Sequence, residues 1–288
     1  MSRLPRQLSR SEARYGRTRK GSIRMELSNT AKWRILKYDG SEPREKDDDI
    51  AAEIPLTLKV DGDEFATLVC SPSDLQELVI GFLASEGVIR AAGQVKSLSI
   101  HEDTGFAYIE LEHKQATNHD QYAKRFIGSC CGKSRQFYFH NDMLTAKTIM
   151  TRTKISAEQC IRFMRELQES SSDFRSTGGL HNAAIGTPAE LFAIRADIGR
   201  HNALDKLFGY CLLHRLRTSD KVIAFSGRLS SEVVLKAAKI GCGILLSKSA
   251  PTDLALRLAD DLGITCAGFI RGGEMNVYTH YERIDFGN

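Results

Sequence analysis

The chain has 288 residues, of which 42% carry apolar side chains; with its 23 glycines about half of it is apolar, the usual share of a folded protein, so disorder throughout is excluded. That length accommodates one large or two modest domains, and two are expected. The longest apolar run, 78–84, is far too short to cross a bilayer, and 40 basic against 36 acidic residues, a net charge of +4, attract an anion only where the cations cluster.

In chain order, residues 1–24 carry eight cations (Arg3, Arg6, Arg10, Arg14, Arg17, Arg19, Lys20 and Arg24) against one acid, Glu12. With almost no apolar material, 1–29 is expected to be a disordered basic arm, and it lacks the apolar stretch that a secretory signal requires. The charged run 42–49 is expected to be exposed. Alternation over 56–60 and 64–69 around Asp61-Gly62-Asp63 predicts a hairpin. Ser71-Pro72-Ser73-Asp74 then offers an N-cap and a first-turn proline to a helix with Leu75, Leu78, Val79, Phe82 and Leu83 on one face, ending near Gly87. Strand-like patterns return at 95–100 and 106–111, which makes 30–145 an α+β domain.

Ser156 and Gln159 are spaced for a capping box, opening a helix that turns Cys160, Ile161, Met164 and Leu167 inward as far as the serines at 170–172. Beyond it, strand-like segments at 180–185, 191–196, 222–225, 244–246 and 264–269 interleave with helices near 201–216, 231–240 and 252–262. Short apolar strands separated by helices predict a largely parallel sheet covered on both faces. The fold class is therefore α/β: a smaller N-terminal α+β domain and a larger three-layer α/β/α domain over 146–288.

Seven cysteines, at 70, 130, 131, 160, 211, 242 and 266, are odd in number and scattered, unlike a secreted disulfide framework, so a cytoplasmic protein is expected. Cys70, Cys160, Cys211, Cys242 and Cys266 sit in apolar patterns and read as core residues. Cys130 and Cys131 are different: they stand between Gly128 and Gly132 with Lys124, Arg125, Lys133 and Arg135 nearby, and neighbouring positive charge favours the nucleophilic thiolate. The plainer alternative is two small residues filling a turn. Zinc is disfavoured because no Cys-x-x-Cys or His-x-x-x-His occurs, and a P-loop fails because the position five residues before Gly132 is Ile127.

A second constellation follows the predicted strands. Arg200 and His201 follow one strand, Ser226 and Arg228 the next, Lys248 the third and Arg271 the fourth, all at strand carboxyl ends, where open α/β sheets bind ligands. Helix N-termini beginning near His201, Ser231 and Thr252 aim N–H groups at the same edge, so a phosphate-bearing molecule is expected there, against the alternative of ordinary surface cations beside turns. The glycine-rich Thr177-Gly-Gly-Leu-His-Asn182 segment adds His181, which is expected to share a pocket with His201, against the alternative of two structural histidines. No Gly-x-Ser-x-Gly occurs, which disfavours acyl transfer.

At these residues the sequence resembles the formate dehydrogenase accessory sulfurtransferase family, FdhD. The segments that carry the likeness are F-I-G-S-C-C-G-K-S, T-G-G-L-H-N-A, D-I-G-R-H-N-A-L-D-K, F-S-G-R-L-S-S-E, S-K-S-A-P-T-D-L-A and G-F-I-R-G-G-E-M-N-V-Y-T-H, spread over roughly 55–284. The resemblance implies a cytoplasmic, homodimeric sulfur carrier whose larger domain is similar to the cytidine deaminase fold. It implies a cysteine desulfurase as donor and formate dehydrogenase as client. The substrate it implies is the molybdenum cofactor, a bis(molybdopterin guanine dinucleotide), with guanosine diphosphate (GDP) as an analogue. Neither nucleic acid nor a membrane is an expected partner.

By the same likeness Cys131 carries the persulfide, and Phe269, Ile270, Arg271, Gly272, Gly273 and Glu274 contact the cofactor, Arg271 being the phosphate or pterin partner. One departure matters: where the family loop has Cys-Gly-x-Cys, this chain reads Cys131-Gly132-Lys133-Ser134, leaving Cys130 as the nearby second thiol. Deaminase activity is not implied, since His280-Tyr281-Glu282 is followed by no cysteines to complete a zinc site. The alternatives are an escort that holds the molybdopterin without carrying sulfur and a redox sensor using vicinal thiols.

Overall fold

The computed structural model describes residues 28–113, 126–127, 146, 148–170 and 177–287; the basic arm, apart from Ser28 and Asn29, lies outside them. The chain enters as a separate two-stranded ribbon, β1 (Thr30–Lys37) and β2 (Arg44–Ala51), so the exposed charged run 42–49 is largely an exposed strand. The predicted hairpin follows as β3 (Ile54–Val60) and β4 (Asp63–Cys70), with Asp61 and Gly62 both at positive φ in the turn.

Helix α1 (Leu75–Ser85) comes next, then β5 (Val95–His101) and β6 (Phe106–Leu111), and β7 (Phe126–Ile127) completes a sheet in the order β5-β6-β3-β4-β7. The expected cap of α1 differs. Asp74 occupies the N-cap position in the left-handed region at φ 53° with no side-chain cap, and Pro72 precedes the helix. Ser71 of that segment bonds instead to a distant strand end, described below.

Two residues of β8 (Ile155–Ser156) lead into α2 (Ala157–Glu169), where the capping box forms as predicted: Ser156 Oγ accepts from Gln159 N at 3.2 Å and the Gln159 side chain accepts from Ser156 N at 3.2 Å. The remaining elements are β9 (His181–Gly186), β10 (Leu191–Asp197), α3 (Arg200–Leu213), β11 (Val222–Phe225), α4 (Ser231–Ile240), β12 (Ile244–Ser247), α5 (Asp253–Asp261), β13 (Thr265–Arg271), β14 (Glu274–Val277) and β15 (Ile284–Asp285), which pairs with β8.

The six-stranded sheet has the order β10-β9-β11-β12-β13-β14. Only β11-β12-β13 are parallel; β9 with β10, β9 with β11, and β13 with β14 are antiparallel, so the expectation of a largely parallel sheet is corrected to a mixed one. The reason is connection length. β9 to β10 and β13 to β14 are joined by turns too short for the crossover that parallel strands require.

Alternate strand residues face opposite sides. Ile223, Phe225 and Leu245 meet Leu204, Leu207, Val233 and Ala255 of α3, α4 and α5, whereas Val222, Ala224, Ile244 and Leu246 meet Phe163, Met164 and Leu167 of α2, giving the three layers. Helix α1 lies between the five-stranded sheet and α3. Its Gly81 faces Asp205 O and Gly209 of α3 faces Glu77 O, so closely that an added Cβ would stand 1.8 Å and 1.9 Å from those oxygens. Two glycines thus set how near the helices come.

Candidate functional site

The topology gathers the predicted strand ends on one edge of the six-stranded sheet. The parallel strands β11, β12 and β13 end there, and because β9 is antiparallel to β11, its start at His181 and Asn182 lies on the same edge. The end of β10 joins them through the pairing of Asp197 with His181. Three helices begin at this rim, at N-caps Gly199, Ser230 and Thr252, none of which makes a side-chain cap hydrogen bond. Uncapped first-turn N–H groups are anion-seeking.

Serines lock the loops. Ser226 Oγ accepts from Asn182 N at 2.9 Å, Ser247 Oγ donates to Gly227 O at 2.7 Å while accepting from Ser249 N at 3.0 Å, and Ser249 Oγ donates to Ser226 O at 3.1 Å. Beside them a cavity of about 140 Å³ is lined by Met164, Leu167 and Gln168 of α2 and by His181, Asn182, Ser226 and Lys248. His181 is held below its ordinary pKa, first by burial and then by the charge of Arg200, with Asp197 opposing, so at neutral pH it presents an uncharged ring.

Among the described residues no carboxylate lies within ion-pair distance of Arg200, Arg228, Lys248 or Arg271, although Lys206 and Lys236 are paired with Asp197 and Asp205. Arg228 and Arg271 are exposed, and the Arg271 guanidinium stands 5.5 Å from the centroid of the Phe269 ring. Phe269 itself takes a left-handed backbone at φ 53°, and Gly272 and Gly273, at φ 62° and 86°, form the tight turn that pairs Arg271 with Glu274.

Two expected contacts are corrected. Ile270 is 1% exposed and packs in the core facing α2, because strand alternation turns it away from the side of its neighbours. His201 turns to α4, its Nε2 2.7 Å from Glu232 Oε2, rather than into the cavity that His181 lines.

Cys130 and Cys131 lie outside the described residues. The five other cysteines are buried free thiols, as expected: burial pushes Cys70, Cys160, Cys211 and Cys266 up to about 12 and Cys242 upward too, so none is a nucleophile near neutral pH. β7 runs parallel to β4 with Ile127 opposite Leu68. Ser71 N donates to Asp197 at 3.1 Å, beside the rim.

Sequence reading missed what most of the Asp197–Lys206 segment does. Asp197, Asn202, Asp205 and Lys206 are buried, and their polar atoms join α3 to the end of β4 and to α1. The signal available was an acid at a strand end followed by an amide, an acid and a lysine inside a helix that is apolar on several sides, where a charge must find a partner.

The sequence pattern of the FdhD/NarQ family matches residues 51–285. The chain is 61% identical over 253 residues to the sulfur carrier protein FdhD of Geobacillus kaustophilus, covering 88% of this chain and 96% of that protein. It is 53% identical over 250 residues to the protein of the same name from Bacillus subtilis, covering 87% and 95%. The fold is similar, with a TM-score of 0.73 and 24% identity over 90% of this chain and 100% of the other, to the crystal structure of a formate dehydrogenase accessory protein from Desulfotalea psychrophila. With most of its length matched by the family pattern and by relatives far above chance identity, the chain belongs to the FdhD/NarQ family.

Proposed function

We propose that this protein is a sulfur carrier serving the activation of formate dehydrogenase, in keeping with the names its relatives bear. It takes persulfide sulfur from a cysteine desulfurase on Cys131 and gives it to a bis(molybdopterin guanine dinucleotide) molybdenum cofactor bound at the basic rim. On this reading it works in the cytoplasm as a homodimer. One observation carries the reading: among the described residues, cations without carboxylate partners and helix N-termini without side-chain caps stand together on one edge of the six-stranded sheet.

The Cys131 thiolate attacks the outer sulfur of the donor's persulfide; that S–S bond breaks, the donor cysteine leaves as a thiolate, and Cys131 holds the persulfide. Release as sulfide needs two electrons. They come when a second thiolate, for which Cys130 is the candidate, bonds to Cys131 Sγ and expels the outer sulfur with the bonding pair. An external dithiol then reduces the resulting disulfide. Arg271, Lys248, Arg200 and Arg228 receive the cofactor's phosphates, and the glycine turn at 272–273 lets the ligand approach the backbone.

Calorimetric titration with GDP tests the rim. Micromolar binding that weakens about tenfold or more in Arg271→Ala, a loss of ~1.4 kcal/mol, is expected; no binding to the unsubstituted protein contradicts it. Ser134, in the place of the family's second loop cysteine, favours the second reading, an escort without sulfur transfer. Cys130→Ser combined with Cys131→Ser separates the two: a carrier loses formate dehydrogenase activation in a deletion strain, whereas an escort keeps it.

A further inference from the structure

Asp197 is fully buried at the end of β10, and its carboxylate is shared between two parts of the fold. Oδ1 accepts from Gly199 N at 2.8 Å and from Asn202 Nδ2 at 2.9 Å, both at the start of α3. Oδ2 accepts from Ser71 N at 3.1 Å, just past β4, and lies 2.8 Å from the ammonium of Lys206, which is also fully buried. The link is reciprocal, since Ser71 Oγ accepts from Ile198 N at 3.0 Å. Asn202 Nδ2 also donates to Val69 O at 2.9 Å, and Lys206 Nζ donates to Ala196 O at 3.0 Å. No other described carboxylate holds the end of β4 and the beginning of α3 together.

The two things so joined are the strand beside β7 and the helix that opens with Arg200. We propose that Asp197 is a positioning residue: it fixes the end of β4, the strand that pairs with β7, against the basic rim, and delivery of sulfur to the bound cofactor depends on that placement. This rests on the sulfur-carrier reading. Asp197 touches neither sulfur nor ligand; it acts through Ser71 and Gly199. Complete burial suits that task, because a charge withdrawn from water persists only where donors surround it, and the four donors here allow one relative placement of the two chain segments.

The test uses Asp197→Asn together with Lys206→Met, which leaves no unpaired buried charge. The asparagine oxygen still accepts from Gly199 and Asn202, while its amide group meets the Ser71 N–H with a donor, so the link to β4 is cut and the start of α3 is kept. Hydrogen exchange should show protection lost at the Ser71 amide and retained at Gly199. Persulfide loading by a desulfurase and GDP affinity should stay within about twofold of the unsubstituted protein, while activation of formate dehydrogenase in a deletion strain falls at least tenfold.

Activation at the original level with Ser71 deprotected overturns the proposal. So does a parallel fall of loading, GDP affinity and activation, which marks a merely structural residue. If the unsubstituted protein neither loads sulfur nor binds GDP, the carrier reading fails, and the positioning role fails with it.

Discussion

Five of the seven thiols are shut into cores, four of them pushed to about 12, which leaves Cys130 and Cys131 as the candidates for reaction near neutral pH. Brief treatment of the native protein with iodoacetamide at pH 7.5, followed by peptide mapping, should label the 130–131 peptide and spare the other five until denaturant is added; rapid labelling of Cys160 or Cys266 would contradict the burial. His181 carries a second prediction. Its pKa is lowered by burial and by Arg200, and a bound phosphate raises it again, so over the interval between the two values binding takes up a proton and GDP affinity increases as pH falls. Titrations in buffers of different ionisation enthalpy should report uptake towards pH 6, and His181→Asn should abolish it; proton release would contradict the assignment. The core role of the five cysteines was legible because each sits in an apolar pattern. The orientation of Ile270 was not taken from its motif, since a motif gives proximity along the chain whereas strand alternation decides which side chain faces the ligand.

Among the elements, the two glycines at the crossing of α1 and α3 make the sharpest demand. Gly81→Ala or Gly209→Ala puts a methyl group less than 2 Å from a backbone carbonyl oxygen that has no rotamer to escape into, so the helices must part. Each should destabilise by about 3 kcal/mol or more, read as a lower urea midpoint, while alanine at exposed Gly93, which has open space around it, should do far less. Ser156→Ala removes one half of the capping box of α2 and should cost about 1 kcal/mol by the same measurement. The capping box was legible from four residues, and so were the hairpin of β3 and β4 and the helices α2 to α5, because local periodicity and turn chemistry determine them. The β1–β2 ribbon was not, since a strand reading R-E-K-D-D-D has no alternation to announce it. Nor was β14, whose four residues follow a glycine turn.

For the whole molecule, the sequence marked which strand ends share an edge, and the sheet order gathers them there despite being mixed, because β9 runs antiparallel to its parallel neighbours and so begins where they end. What local pattern could not reveal is the tie between β4 and α3, which spans more than 120 residues of chain through Ser71 and Asp197. A rim of cations with no carboxylate partner among the described residues should show its charge: GDP affinity should fall with added salt more steeply in the original protein than in Arg228→Ala. The central claim is that Cys131 carries sulfur, and the most direct measurement is mass spectrometry of the protein after incubation with a cysteine desulfurase and cysteine. The peptide containing Cys131 should gain about 32 Da, one sulfur atom, and the gain should vanish in Cys131→Ala. No gain on that peptide, or an undiminished gain in the alanine variant, would contradict the account.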